Sequence, residues 1–103
     1  MSRAIFHIDN VYKIPNLRVI GNVCKTNRST NTAFRGFGAP QAMMICETII
    51  DHISRDLNIQ REVLAEINFY KEKEKTFYGQ TLEHNHIARI WKQVSIFNYF
   101  ILF

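Results

Sequence analysis

The chain has 103 residues, of which 47% are hydrophobic, and a formal net charge of +4 at pH 7. Its length allows one domain at most, or part of one. The charge is far below the dense basic stripe of a nucleic-acid binder, and no apolar run approaches the roughly 18 residues of a membrane span. We therefore expect neither nucleic acid nor a membrane as a partner.

The N-terminal half is predicted to be mainly extended chain. Residues 3–10 fit either the end of a helix or a short strand. Residues 11–25 contain strand-like segments that bend at Gly21, and a polar run at 26–32 predicts a loop. Strands of this kind expose edges that so short a chain cannot easily cover. We therefore do not expect a self-sufficient domain.

Residues 31–41, with the sequence NTAFRGFGAPQ, are the feature around which the chain is organised. Gly36 and Gly38 free the backbone to adopt positive φ, and Pro40 suits the first turn of a helix. The unpaired N–H groups at such a helix start can bind an anion or a polarised oxygen. The residues leave two interpretations open. One is a cofactor- or substrate-binding loop with Phe37 as a stacking face, and the other is a plain turn with Phe37 in the core.

Helical periodicity begins at Pro40. It predicts one helix over residues 40–57, a second over 60–70 and a short third over 88–94. The stripe expected to be buried on the first helix comprises Ala42, Cys46, Ile49, Ile50, Ile53 and Leu57. The inward residues of the second helix are Val63, Leu64 and Ile67. We predict an α+β fold, with extended bent strands in the N-terminal half followed by two or three helices, as part of a larger domain.

The other candidate residues give weaker signals. Cys24 and Cys46 lack metal or redox spacing and are expected to be buried apolar residues in a reducing compartment. His84 and His86 have no third ligand at suitable spacing, so they predict an exposed polar stretch rather than a metal site. Glu47 is expected on the helix surface, and no nucleophile–base arrangement stands out.

Two blocks of sequence resemble the molybdenum hydroxylases, the family of the xanthine dehydrogenases and aldehyde oxidases. The first block is FHIDNVYKIPNLR at residues 6–18, followed by CKTN at 24–27. The second is NTAFRGFGAPQ at 31–41. The likeness continues to about Trp91 and is closer to the xanthine dehydrogenases than to the aldehyde oxidases.

The resemblance implies a fragment of the molybdopterin-binding domain. Residues 1–93 would belong to that domain, and the apolar residues 94–103 are unlike the family. Family enzymes hydroxylate a carbon beside a ring nitrogen, or an aldehyde carbon, at a molybdenum held by molybdopterin, and the inserted oxygen comes from water. Full-length relatives also carry FAD and 2Fe–2S clusters, form homodimers, and are cytoplasmic or peroxisomal.

The resemblance also implies roles for individual residues. Arg35 would offer its backbone amide to the molybdenum centre, and Phe34 and Gly36 would belong to the same cofactor-binding loop. Phe37 would pack on the face of the substrate ring. Arg3 matches the arginine with which xanthine dehydrogenases bind the polar far edge of a purine, and aldehyde oxidases lack it there. A planar guanidinium suits purine carbonyls and developing negative charge.

The chain also departs from the family pattern. The family's catalytic glutamate base is not among these residues, so we expect the fragment to be inactive alone. The enzyme to which it belongs would oxidise a purine of the hypoxanthine or xanthine type. Two alternatives are an aldehyde oxidase-like enzyme and a small non-enzymatic module that binds an anion or nucleic acid.

Overall fold

The computed structural model describes residues 2–101 of the chain, and these residues form four helices. Helix α1 spans Ser2–Phe6, α2 spans Ala39–Asp56, α3 spans Arg61–Asn68 and α4 spans Ile87–Ile101. Helix α2 contacts both α1 and α3. None of the helices in the described part of the chain is long and apolar enough to cross a bilayer.

Residues with left-handed backbone, Gly38 and Asn58, flank helix α2. Gly38, with a φ of 98°, is its N-cap, and Pro40 lies in the first turn, where its missing N–H costs no hydrogen bond. At the other end the Leu57 N–H donates to the Ile53 carbonyl at 2.9 Å, and Asn58 follows with a φ of 52°. The N-cap of α3 is Gln60.

The buried side of α2 differs from the predicted stripe. Its buried residues are Ala42, Cys46, Ile50 and Ser54. The prediction is wrong at Ile49, Ile53 and Leu57, which keep 49%, 39% and 59% of their surface exposed. Ser54 takes a buried position because its hydroxyl donates to the Asp51 carbonyl at 2.8 Å, which satisfies the polar group inside the helix.

The core lies where α2, α3 and the segment after α1 meet. Its buried residues are Tyr12, Cys46, Ile50, Leu64, Ala65 and Phe69. On α3 the predicted inward residues Val63 and Ile67 are 48% and 70% exposed, so the prediction is wrong there. The Phe69 ring stacks on Tyr12 at 6.0 Å and meets the edge of Trp91 at 5.2 Å between centroids. Helix α4 therefore joins the core through Trp91.

The N-terminal half pairs with the segment after α3 at one place. Tyr12 and Phe69 form an isolated antiparallel bridge, in which the Lys13 N–H donates to Asn68 O at 2.7 Å and the Tyr70 N–H donates to Val11 O at 2.9 Å. In the described part of the chain, residues 13–34 form no strand. A strand needs a partner edge, and these residues have none here. The α+β class stays a prediction for the larger domain.

Helix α4 is longer than the predicted helix over 88–94. Its start is fixed by Asn85, whose Oδ1 accepts from the Ile87 N–H at 3.1 Å and whose Nδ2 donates to Tyr70 O at 2.7 Å. The helix continues to Ile101. The prediction that residues 94–103 form a tail unlike the family extends to Leu102 and Phe103, which lie outside the described residues.

Candidate functional site

The turn at residues 34–38 precedes α2 and has an unusual backbone. Gly36, Phe37 and Gly38 have φ values of 84°, 52° and 98°, so three consecutive residues are left-handed. The Phe37 N–H donates to Phe34 O and the Ala39 N–H donates to Gly36 O, both at 2.9 Å. A bulky residue seldom adopts positive φ, and such conformations cluster at functional sites. The turn is therefore a candidate site on backbone evidence.

Several N–H groups of this turn have no acceptor. Among the described residues, the N–H groups of Phe34, Arg35, Gly36 and Gly38 donate no hydrogen bond to another protein group. They lie just before the N-terminus of α2, where the helix dipole places partial positive charge. Exposed donors at a helix start can bind an anion or a polarised oxygen.

The aromatic side chains of the turn face solvent. Phe34 is 81% exposed and Phe37 is 61% exposed. The interpretation of a plain turn with Phe37 in the core is therefore wrong. Because these rings are not held in the protein core, they are available to stack on a planar ligand.

Helix α1 brings Arg3 to the same end of α2. A Cβ atom placed on Gly38 would lie 3.2 Å from the Cβ of Ala4, so Ala4 packs directly on this glycine. Arg3 and Phe37 are each one residue from that contact, and the Arg3 side chain is exposed. The structure thus gathers the predicted substrate-binding residues, Arg3 and Phe37, near the predicted cofactor loop.

Glu47 connects three parts of the chain, a role that the sequence did not suggest. Its carboxylate accepts from Asn10 Nδ2 at 2.6 Å, from the Tyr12 hydroxyl at 2.9 and 3.1 Å, and from an Arg61 guanidinium nitrogen. It therefore links the segment after α1 to α2 and α3. Burial is the main cause of a raised pKa of Tyr12, and its hydrogen bond to Glu47 adds to the rise. The prediction of Glu47 as a plain surface carboxylate is wrong.

A second buried contact ties the same segment to the chain after α3. The Tyr70 hydroxyl donates to Asp9 Oδ2 at 2.8 Å, and both residues are buried. Burial raises the pKa of Asp9, while the hydrogen bond from Tyr70 acts to lower it. The pair lines a cavity of about 220 Å³, together with His7 and His84. Asp9 and Tyr70 are 61 positions apart, and no local pattern signals such a pair.

The cysteines and histidines provide no metal site within the described residues. Cys46 is buried, as predicted, but Cys24 is exposed, and that prediction is wrong. Residue 24 lies in the extended part of the chain that has no packing partner here. His84 and His86 flank Asn85, which caps α4 as described above.

Comparisons with known proteins agree with the resemblance found in the sequence. A family model described as the molybdopterin cofactor-binding domain matches residues 1–69, which include Arg3 and the whole turn. The chain is similar to the xanthine dehydrogenase of Dictyostelium discoideum, with 48% identity over 96 residues. It is also similar to xanthine dehydrogenase 1 of Arabidopsis thaliana, with 49% identity over 96 residues, and to the xanthine dehydrogenase/oxidase of Gallus gallus, with 45% identity over 100 residues.

These alignments cover most of this chain and little of the relatives. They span 93%, 93% and 96% of the chain but 7% of each relative. The predicted likeness to the xanthine dehydrogenases is confirmed, and it concerns a short stretch of those proteins.

Proposed function

We propose a function on the basis that the chain belongs to the molybdopterin cofactor-binding domain family. We propose that it forms one wall of the active site of a molybdenum-dependent oxidoreductase of the xanthine dehydrogenase type. The observation that carries this proposal is the exposed, left-handed turn at residues 34–38, whose N–H groups at Arg35 and Gly36 are among those that donate to no other group of the described protein. The substrate would be a purine, and the chain would contribute binding groups rather than the catalytic base.

The turn fits an anionic, oxygen-rich cofactor. Gly36 has no side chain to cover the backbone, and the N–H groups of Arg35 and Gly36 are not used within the described protein. Backbone N–H groups of this kind stabilise negative oxygen at a fixed position. When bound, the molybdenum cofactor would supply the oxidation of the substrate carbon. Arg35 and Gly36 would hold it through the backbone, with Phe34 in the same loop.

Two exposed side chains at or near the turn would bind the substrate. The Phe37 ring is 61% exposed and offers a face for a planar heterocycle. The Arg3 guanidinium, on α1, carries a permanent charge and several donors that suit purine carbonyls. Two such groups would fix both the plane and the in-plane direction of a purine, which positions the carbon to be oxidised.

The other cofactors of the proposed enzyme need residues beyond this chain. A 2Fe–2S cluster is held by four cysteine ligands in most proteins, and this sequence contains two cysteines in total. We propose that FAD and the iron–sulfur clusters belong to other parts of the complete enzyme. We also expect the 103-residue chain alone to show no purine oxidation.

A graft into a relative tests this function directly. The aligned 96-residue stretch of the Dictyostelium xanthine dehydrogenase would be replaced by the matching residues of this chain. We expect the graft to retain molybdenum and to oxidise purines. A graft that binds the cofactor but oxidises only aldehydes would favour the aldehyde oxidase-like alternative, and a folded graft without molybdenum would contradict the proposal.

Within that graft, Arg3→Met tests the purine assignment. Losing a charged hydrogen bond to a substrate costs about 1.5–3 kcal/mol, so purine kcat/KM should fall roughly 10- to 150-fold. Aldehyde turnover should change little, because an aldehyde offers no far edge to this guanidinium. Arg28→Met, in the exposed loop, is the matched control and should leave both activities near their starting values. Equal losses for purine and aldehyde would remove the role proposed for Arg3.

A further inference from the structure

Helix α1 rests on α2 through a glycine. A Cβ atom on Gly38 would lie 3.2 Å from Ala4 Cβ, 3.6 Å from Ala4 N and 3.8 Å from Ala4 Cα. Backbone and side chain of Ala4 thus both cover the same face of Gly38. A side chain at position 38 would press on Ala4, so α1 lies at a spacing that a glycine at position 38 permits.

Gly38 is required for a second, separate reason. Its φ of 98° lies in the region that side-chain-bearing residues rarely adopt. The same residue is the N-cap of α2 and accepts from the Ala42 N–H at 3.1 Å. The glycine therefore sets both the direction in which α2 begins and the depth at which α1 lies on it.

The C-terminal end of α1 is fixed to the rest of the chain through Phe6. Within the same segment, His7 Nδ1 donates to the Arg3 carbonyl at 2.7 Å. The Phe6 ring meets the edge of Tyr78 with 5.1 Å between centroids. With its C-terminal end fixed in this way, the depth of Ala4 on Gly38 determines where the preceding residue, Arg3, stands.

We propose that the Ala4–Gly38 contact is a positioning element that sets the distance between the backbones of Arg3 and Phe37, from which the two proposed substrate-binding side chains extend. Arg3 directly precedes Ala4, and Phe37 directly precedes Gly38, so one contact sets the starting points of both side chains. Its importance for substrate selection rests on the proposed function, whereas its geometry does not. A larger residue at position 4 moves Arg3 away from the turn and leaves the fold of α2 and α3 in place.

Paramagnetic broadening in the full 103-residue chain measures this distance without any cofactor. A nitroxide is attached at Arg3→Cys, with the exposed Cys24 changed to serine and the buried Cys46 left in place. The label should broaden the amide signals of Phe37 and Gly38. The amide of Asn58, at the far end of an 18-residue helix roughly 27 Å long, is the internal control and should stay sharp.

Ala4→Val in the labelled chain is the decisive variant. The broadening at Phe37 and Gly38 should fall by more than half, while the remaining amide shifts of α2 and α3 stay in place. Ser2→Val, on the exposed side of α1, is the matched control, since it adds the same β-branched side chain to the same helix. It should leave the broadening unchanged. A folded Ala4→Val chain with undiminished broadening at Phe37 overturns the proposal.

A second measurement covers the case in which Ala4→Val does not fold. In the unsubstituted chain, the Ala4 methyl protons should show a nuclear Overhauser effect to the α-protons of Gly38. A folded chain without this signal overturns the proposal as well. Failure of the graft to bind molybdenum would leave these distances untouched, so the two proposals can fail separately.

Discussion

Two regions of the chain differ in the number of contacts that they make with the rest of the protein. The packed region, residues 9–13 and 39–70, is joined by hydrogen bonds between residues far apart in sequence, such as Asp9–Tyr70 and Tyr12–Glu47. The open segment, residues 14–38, consists mainly of exposed residues, with Val23 83% exposed. The turn at residues 34–38 lies at the boundary between them. It is joined to the packed region at one end, where it enters α2.

The difference between the packed region and the open segment shows which contacts hold the proposed site in place. Segments with few buried apolar contacts open at low free-energy cost, and binding loops are commonly drawn from them. The turn keeps its shape through two backbone hydrogen bonds and the contact of Gly38 with Ala4. We therefore expect substitutions in the packed region to affect stability and substitutions in the turn to affect binding.

The largest expected effect separates two phenylalanines, one in each region. Phe69→Ala removes a 7%-exposed ring between Tyr12 and Trp91 and should lower the free energy of unfolding by about 3–5 kcal/mol. Phe34→Ala removes an 81%-exposed ring and should change it by less than about 0.5 kcal/mol. Urea denaturation followed by circular dichroism measures both. Similar losses for the two variants would show that the open segment is packed in solution.

The two cysteines report the same contrast by their reactivity. Burial raises the pKa of Cys46 to about 11, and the charge of Glu47 adds to the rise. The Cys46 thiol should therefore resist alkylation at about pH 8, because little thiolate is present and access is blocked. The exposed Cys24 should react at once. Mass spectrometry should show one label on the native chain and two in urea, and rapid double labelling of the native chain would contradict this packing.

The smallest expected effect concerns the pH dependence of the free energy of unfolding. Burial raises the pKa of Asp9 above its ordinary value of 3.8. The folded chain thus keeps this proton to a higher pH than the unfolded chain does. The contribution of Asp9 to the free energy of unfolding is fully present below pH 3.8 and is lost as pH rises through the folded-state pKa.

Asp9→Asn should remove this part of the pH dependence. The asparagine oxygen can still accept from the Tyr70 hydroxyl, but it has no proton to lose. Because Asp9→Asn lacks the loss of stability that Asp9 contributes as pH rises, its urea midpoint should change in a more favourable direction between about pH 4 and about pH 7 than that of the unsubstituted chain. Asp56→Asn, an exposed site on α2, is the control and should keep the original difference. An equal change of the urea midpoint between the two pH values in all three chains would show that Asp9 is not held in a buried site.

The helices and the turn could be read from sequence because their signals are local. The helix start at Pro40 and the left-handed glycines follow from residues within one turn of each other. The predicted stripe on α2 was wrong at Ile53 because burial depends on which neighbours arrive, and the described chain covers that side only in part. Periodicity locates an apolar face, but it does not say how far round the helix the partner extends.

The long-range contacts around the site could not be predicted from local sequence signals. Glu47 looks like any exposed helix carboxylate until Asn10 and Tyr12 are brought to it across 37 and 35 positions. The pair of Ala4 and Gly38 likewise joins residues from opposite ends of the extended half. The roles of Arg3, Arg35 and Phe37 are implied by the family resemblance and by no local pattern of spacing or periodicity.

Gly36 also constrains how this turn can change over time. A Cβ atom at position 36 would lie 2.6 Å from Pro40 Cδ and 2.8 Å from its Cγ. A side chain at 36 therefore conflicts with the proline ring in addition to the strain of a φ of 84°. A lineage could gain a residue at 36 only after, or together with, the loss of Pro40. A library that varies both positions should return glycine with proline, and other residues at 36 only where the proline is gone.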